Sequence, residues 1–310
     1  MLFAVSGVEV SPWLPPLVAF VVSFFTSMGG VSGAFLLLPF QMSVLGFTSP
    51  SVSATNQLFN VVAIPSGVAR YVREGRMVWP LTWAVVAGTL PGVLIGAVVR
   101  VRLLPDPTAF KVFAGVVLAY IGLRMVRDLL GRRGATAPGG GAEERFHRQV
   151  REGGATATAA TTVGRVRGRI RYEFGGELFD VGVWPILGLS FVVGIVGGVY
   201  GIGGGAIIAP FFVAVCGLPV YTVAGAALMG TFVTSVAGVA FYQGLAPFHP
   251  ELAVAPDWPL GLLFGLGGAA GMYCGARLQK HVPAKAIKWM LAAVILAVAG
   301  RYLAGVGRLL

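Results

Sequence analysis

Apolar positions in this chain run in long blocks, and polar positions gather in the gaps between them. No charged residue occurs between Glu9 and Arg70, or between Asp180 and Glu251. A helix crosses a bilayer with about 20 apolar residues, so each of these stretches has room for about three membrane segments. Along the whole chain the pattern predicts ten apolar segments, at 12–29, 33–47, 51–70, 78–99, 107–126, 182–200, 204–217, 221–243, 258–277 and 285–304. The second and seventh are short, and Pro39 or Pro210 interrupts each. A glycine-rich turn precedes both, Met28 to Gly33 in one and Tyr200 to Gly205 in the other. Short segments broken by Gly and Pro at matching places in two halves point to a transport site near the bilayer midplane.

The chain repeats itself. A shift of 171 positions carries Gly30 onto Gly201, Gly33 onto Gly204, Pro39 onto Pro210, Gly46 onto Gly217, Gly67 onto Gly238 and Tyr71 onto Tyr242. A shift of 179 carries Trp79-Pro80-Leu81 onto Trp258-Pro259-Leu260, and Gly88, Gly92 and Gly96 onto Gly267, Gly271 and Gly275. The expected fold class is an all-α polytopic membrane protein with two repeats of about five transmembrane segments. Residues 1–126 form the first repeat, 127–180 a linker and 181–310 the second.

Composition narrows the class. Hydrophobic residues make up 56% of the chain and charged residues 11%, against about 25% charged in a soluble domain. The net charge of +11 invites a nucleic-acid reading. The Arg residues, however, cluster at segment ends and in the linker, as membrane topology requires, so no nucleic-acid partner is expected. The two cysteines, Cys216 and Cys274, lack metal-ligand spacing, and no metal or cofactor is expected. A homo-oligomer is left open.

If the short segments cross the membrane, each half has five spans and the halves are inverted. If they are re-entrant, each half has four and the halves are parallel. The short loops discriminate. Arg277, Lys280, Lys285 and Lys288 mark the connection between the last two segments, whereas 244–257 holds no Lys or Arg. Positive charge marks the cytoplasmic side, and only the inverted arrangement puts the first connection inside and the second outside. The expected protein lies multi-pass in the cell (inner) membrane, with the middle loop cytoplasmic and both termini outside.

Within the linker, 134–163 is rich in Gly, Ala and Thr and reads as flexible. In the sequence from Arg169 to Val181, Ile170, Tyr172 and Phe174 alternate with polar residues before Gly175-Gly176. That pattern predicts a β-hairpin.

The glycine turns, the apolar run from the first turn to its proline, and Tyr200-Gly-Ile-Gly-Gly-Gly-Ala-Ile-Ile-Ala-Pro210 resemble the sulfite exporter TauE/SafE family of membrane transporters. The resemblance covers most of the chain outside the linker. It implies transport of small anions of sulfur metabolism, such as sulfite and organosulfonates, or of related small carboxylates. The first turn reads Gly30-Val-Ser-Gly33 and is less glycine-rich than the second.

The site residues follow from helix physics. Each turn is expected to open a short helix, whose first N–H groups lack internal partners and carry about half a positive charge. Gly30 and Gly33 on one side, and Gly201, Gly203 and Gly204 on the other, expose those N–H groups to an oxyanion. Ser32 adds a hydroxyl. Asn56 and Asn60, four residues apart, share a helix face, as do Thr231 and Ser235. The same glycines can instead serve close helix packing, and the same amides and hydroxyls can bond neighbouring helices. The mid-segment glycines Gly92, Gly96, Gly271 and Gly275 read as packing. No Lys or Arg is expected to be buried, and no Asp or Glu lies within a predicted segment.

The function read here is transport of small sulfur-containing anions by alternating access, in contact with the lipid bilayer and a small anionic substrate. The alternatives are an anion channel or a carrier of small carboxylates. A remote alternative is an intramembrane serine protease built on Gly30-Val-Ser32-Gly33. That chemistry needs a His to activate the Ser. His147, His249 and His281 all fall in loops or at a segment end, so no catalytic residue is assigned.

Overall fold

The structure is a computed structural model. It describes every residue except 30–31, 74, 76, 131–160, 167, 175–176, 206, 209–210, 213–215, 217, 219, 279–283 and 307–310. The chain opens with a two-stranded hairpin, β1 (Leu2–Phe3) and β2 (Val8–Glu9). Helices α1 (Leu14–Gly29), α2 (Ala34–Ser43), α3 (Ser51–Ala63), α4 (Pro65–Arg73), α5 (Trp79–Arg102) and α6 (Pro107–Leu130) follow. Strands β3 (Thr161–Val166), β4 (Arg169–Phe174) and β5 (Glu177–Gly182) form an antiparallel sheet in that order. The second half holds α7 (Val183–Tyr200), α8 (Val220–Leu245), α9 (Trp258–Leu278) and α10 (Ala284–Val306). Helices α5, α6, α7, α8 and α10 are long and apolar enough to cross a membrane.

The predicted hairpin is β4–β5, with Tyr172 opposite Phe179 and the rings of the two stacked at 5.4 Å. Ile170, Tyr172 and Phe174 are all buried. β3 is an addition, because it starts at Thr161, inside the stretch read as flexible. The rest of that stretch lies outside the described residues, as do Gly30, Pro210 and the Gly175-Gly176 turn. The third segment, expected to run unbroken over 51–70, is split at Ile64. Pro65 has no N–H to continue the helix and its ring crowds the preceding turn.

Hydrogen bonds between distant segments give each helix its direction. Ser6 bonds to Asp257 through its N–H (3.0 Å) and its hydroxyl (2.8 Å). The Ser51 N–H donates to the Ala253 carbonyl at 2.8 Å, and Arg100 donates to the Thr48 carbonyl at 3.0 Å. The N-terminal hairpin, the α2–α3 loop, the end of α5 and the 246–257 loop therefore share one face. The opposite face carries the sheet, where the Tyr172 hydroxyl meets Thr222 at the start of α8, 3.0 Å away. From the N-terminal face, α1 runs inward, α2 returns, α3 and α4 run inward, α5 returns and α6 leaves. An odd number of segments inverts the second half. Its helix α7 starts at the sheet and α10 ends beside Ser43, where the Tyr302 hydroxyl lies 2.9 Å from that of Ser43.

The two halves are intertwined. α5 packs along α7, and α9 packs along α1. Glycines permit both contacts. A Cβ at Gly88 would fall 2.8 Å from the Leu187 carbonyl oxygen, and one at Gly92 2.9 Å from the Ile195 nitrogen. Across the other pair, a Cβ at Gly267 would fall 2.6 Å from the Pro16 backbone, and one at Gly271 2.9 Å from the Phe20 backbone. Gly92 also abuts the Phe191 carbonyl, Gly96 that of Ile195 and Gly275 that of Phe24. Leu187, Phe191 and Ile195 are the 171-shifted positions of Pro16, Phe20 and Phe24, so the sequence repeat is reproduced contact by contact as a pseudo-twofold packing.

Candidate anion site at the junction of the two halves

α3 carries the polar residues to the junction. Ser53, Thr55, Asn56, Gln57 and Asn60 are all fully buried, and a buried amide must find partners. Asn56 finds them in both halves. Its Nδ2 donates to the Ala34 carbonyl in α2 and to the Gly201 carbonyl after α7, each at 3.1 Å. Its Oδ1 accepts from Gln41 Nε2 at 3.3 Å. Asn60 Nδ2 donates to the Ile202 carbonyl at 3.0 Å, and its Oδ1 accepts from the Ser32 hydroxyl at 3.5 Å. The Ser32 oxygen in turn accepts the Ala34 N–H at 3.3 Å. Ser53 and Tyr200 add two further ties between the halves, to the Val199 and Phe35 carbonyls, at 2.9 Å each.

The two glycine turns differ. Gly33 is the residue at the N-terminal edge of α2, as expected, and a Cβ there would meet Ser23 Oγ at 2.8 Å, Phe59 Cζ at 3.3 Å and Thr26 Oγ1 at 3.4 Å. Gly201 instead closes the C-terminus of α7 in the left-handed conformation, φ 83°. Its N–H and that of Ile202 both return to the Gly197 carbonyl, at 2.9 and 3.0 Å, which is a common helix ending for a glycine. Gly203 is also left-handed, φ 76°, and faces Ser235 and Thr231. The Gly204 N–H donates to Thr234 Oγ1 at 3.0 Å. The second turn thus presents the carbonyls of Gly201 and Ile202 to the junction and keeps three of its N–H groups for its own folding.

Ser32, Gly33, Asn56, Asn60, Gly201, Gly203, Thr231 and Ser235 belong to one continuous set of contacts. Gly204 sits at its edge, where a Cβ would press on Thr89. Thr231 Oγ1 is occupied by the Ala227 carbonyl one turn back, at 2.9 Å. Among the described residues four buried serine hydroxyls, those of Ser23, Ser49, Ser190 and Ser235, meet no hydrogen-bond partner. Ser23, near Gly33, and Ser235, near Gly203, are the two beside the glycine turns, and both are fully buried. Ser23 is not singled out from the sequence, although Thr26 and Ser27 follow it three and four residues later on the same face of α1.

Charge is kept away from the junction. Of the buried polar side chains described, only Arg100 and Asp257 carry charge, and both lie at the N-terminal face. Arg100 corrects the expectation that no Arg would be buried. It curls back onto the Leu104 and Thr48 carbonyls and lies 3.8 Å over the Phe110 ring, so its charge is spent locally. Among the described residues no group of three His, Cys, Asp or Glu is placed to hold a metal ion.

The model of the sulfite exporter TauE/SafE family matches residues 16–302, nearly the whole chain. The protein belongs to that family. It is therefore a polytopic membrane transporter, and the junction described above lies inside the matched region. No curated protein and no solved structure matches the chain.

Proposed function

We propose that this family member carries small sulfur-containing anions, such as sulfite and organosulfonates, across the cell membrane by alternating access. The binding site is the junction of the two halves, formed by the Gly33 end of α2, by Ser32, Asn56 and Asn60, and by Ser235 against the second glycine turn. The observation that carries this reading is the Asn56 amide, which joins the Ala34 carbonyl of α2 and the Gly201 carbonyl at the end of α7, each at 3.1 Å. A side chain shared by both halves senses their relative position, and transport requires the halves to move against each other.

Residues 1–126 and 181–310 act as the two moving repeats and 127–180 as their cytoplasmic linker. The N-terminal face is the outer one. A junction without a full charge holds a single anionic group by hydroxyl and amide donors. It favours sulfite monoanion or a sulfonate over densely charged anions such as phosphate dianion.

The test is uptake into proteoliposomes of sulfite, thiosulfate, sulfoacetate, small carboxylates and phosphate. Saturable transport of a sulfur oxyanion, with phosphate excluded, is expected. Equal transport of phosphate and sulfonate would remove the neutral-donor site from consideration, and unitary currents in a planar bilayer would replace the carrier with a channel.

A further inference from the structure

One side chain at the junction leaves both polar atoms of its amide without a partner among the described residues. Gln57 is fully buried, and neither its Oε1 nor its Nε2 meets a hydrogen-bond partner among the described residues. It lies on α3, three residues before Asn60 and four after Ser53, so the three share a face. Both neighbours reach the second half through the Ile202 and Val199 carbonyls. Gln57 instead extends across Gly238 of α8, where a Cβ would stand 2.7 Å from its Cδ and 3.0 Å from its Nε2. The missing side chain at Gly238 makes the space that the amide fills.

The repeat supplies a control for this position. The 171 shift carries Gln57 onto Leu228 and Gly67 onto Gly238. On the sheet side of the junction a Cβ at Gly67 would stand 3.7 Å from Leu228 Cδ1. Leu228 there packs on the cluster of Ile64, Val68 and Met77. The same helix crossing is thus closed by a leucine on one side and by an unpaired amide on the other. The scaffold accepts an apolar side chain at this position. An unpartnered buried amide is a net cost to folding.

We propose that Gln57 is a substrate-contacting residue, whose Nε2 donates to an oxyanion of a sulfite or sulfonate group as it passes between Asn60 and the N-terminal face. This rests on the anion-transport reading above and assigns a residue to it. The uncharged donor matches the absence of charge at the junction. The chemistry is reversible, because one neutral hydrogen bond holds an anion without trapping it.

The experiment uses the full-length protein purified in detergent, with sulfite and sulfoacetate as probes in calorimetry, and thermal unfolding without ligand. Gln57→Leu is expected to raise Tm by roughly 2–4 °C and to weaken binding about tenfold or more. Higher stability with weaker binding is a combination that a purely structural side chain does not give. Gln57→Met, similar in length and without a donor, carries the same expectation if the leucine variant does not fold. Wild-type affinity in a folded variant would overturn the assignment and leave an ordered water as the partner of the amide. Failure of both variants to fold would overturn it as well, since the scaffold would then need the amide. A wild-type protein that binds neither probe would overturn the anion reading itself, and this assignment with it.

Discussion

Asn56 Nδ2 lies 3.1 Å from the Gly201 carbonyl, 145 positions away in the chain, and the same nitrogen reaches the Ala34 carbonyl. The two breaks in the two halves are thus held together through one amide. Asn56→Ala leaves both carbonyls buried without that donor, at about 1–3 kcal/mol per orphaned group. A drop of several degrees in Tm and loss of uptake are expected. Asn56→Asp removes the donor while keeping the shape, and should fail in the same way. Unfolding in detergent and proteoliposome uptake check both.

Gly33 and Gly204 are equivalent by the repeat, yet their surroundings are not. A Cβ at Gly33 meets the ends of Ser23 and Phe59 at 2.8 and 3.3 Å, and these can rotate. A Cβ at Gly204 meets Thr89 near the threonine's own Cβ, and the Gly204 N–H is committed to Thr234. Gly33→Ala should leave Tm within a few degrees of wild type and weaken anion binding. Gly204→Ala should lower Tm strongly, by an overpacking cost of about 1–3 kcal/mol. Thermal unfolding and calorimetry on the purified variants separate the two effects.

Gly92 and Gly271 press on backbone of the partner half, Gly92 on Phe191 and Ile195 and Gly271 on Phe20. Backbone cannot yield as a side-chain tip can. Gly92→Ala and Gly271→Ala should each destabilise the protein by similar amounts, with anion affinity per folded molecule unchanged. A large difference between them in Tm would show that the pseudo-twofold packing is not energetically symmetric.

Asp180 accepts hydrogen bonds from Arg169 and Arg171 at 2.7 and 3.0 Å. The bond from Arg169, then that from Arg171 and the positive charge of both, hold its carboxyl below the ordinary carboxylate value. A depressed folded-state pKa means stability that is present at neutral pH and is lost as pH falls through that lowered value. Amide exchange in β4 and β5, corrected for intrinsic rate, should quicken toward acid pH in the wild type. Asp180→Asn should be less protected at neutral pH and should lose the dependence.

Glu251 lies on the N-terminal face, and α10 begins at Ala284. With the N-terminal face outside, a cysteine replacing Glu251 should react with membrane-impermeant maleimide on intact cells. One replacing Lys285 should react only after the membrane is opened. Reversed labelling at both sites would turn the protein over in the membrane without changing its fold.

The sequence by itself determined the segments, the repeat and the spacing of polar residues. Asn56 and Asn60, or Gly92 and Gly96, share a helix face whatever surrounds them, because 3.6 residues make a turn. It also determined that the halves are equivalent, since the 171 and 179 shifts preserve Gly, Pro and Trp where no other residue substitutes easily. It did not determine which helix of one half touches which of the other. That α5 lies along α7, and α9 along α1, depends on how two glycine-lined surfaces meet across more than a hundred residues of chain. The tertiary structure alone decided what each polar group bonds to. A glycine turn read as an open set of N–H donors became, at Gly201 and Gly204, a helix ending tied to Gly197 and Thr234. Arg100, in a chain where no buried Arg is expected from the sequence, folded onto Thr48 and Phe110. Local spacing sets which atoms can point the same way, while partners arrive from segments that spacing does not bring together, and so Gln57 stands out only once every neighbour's hydrogen bonds are accounted for.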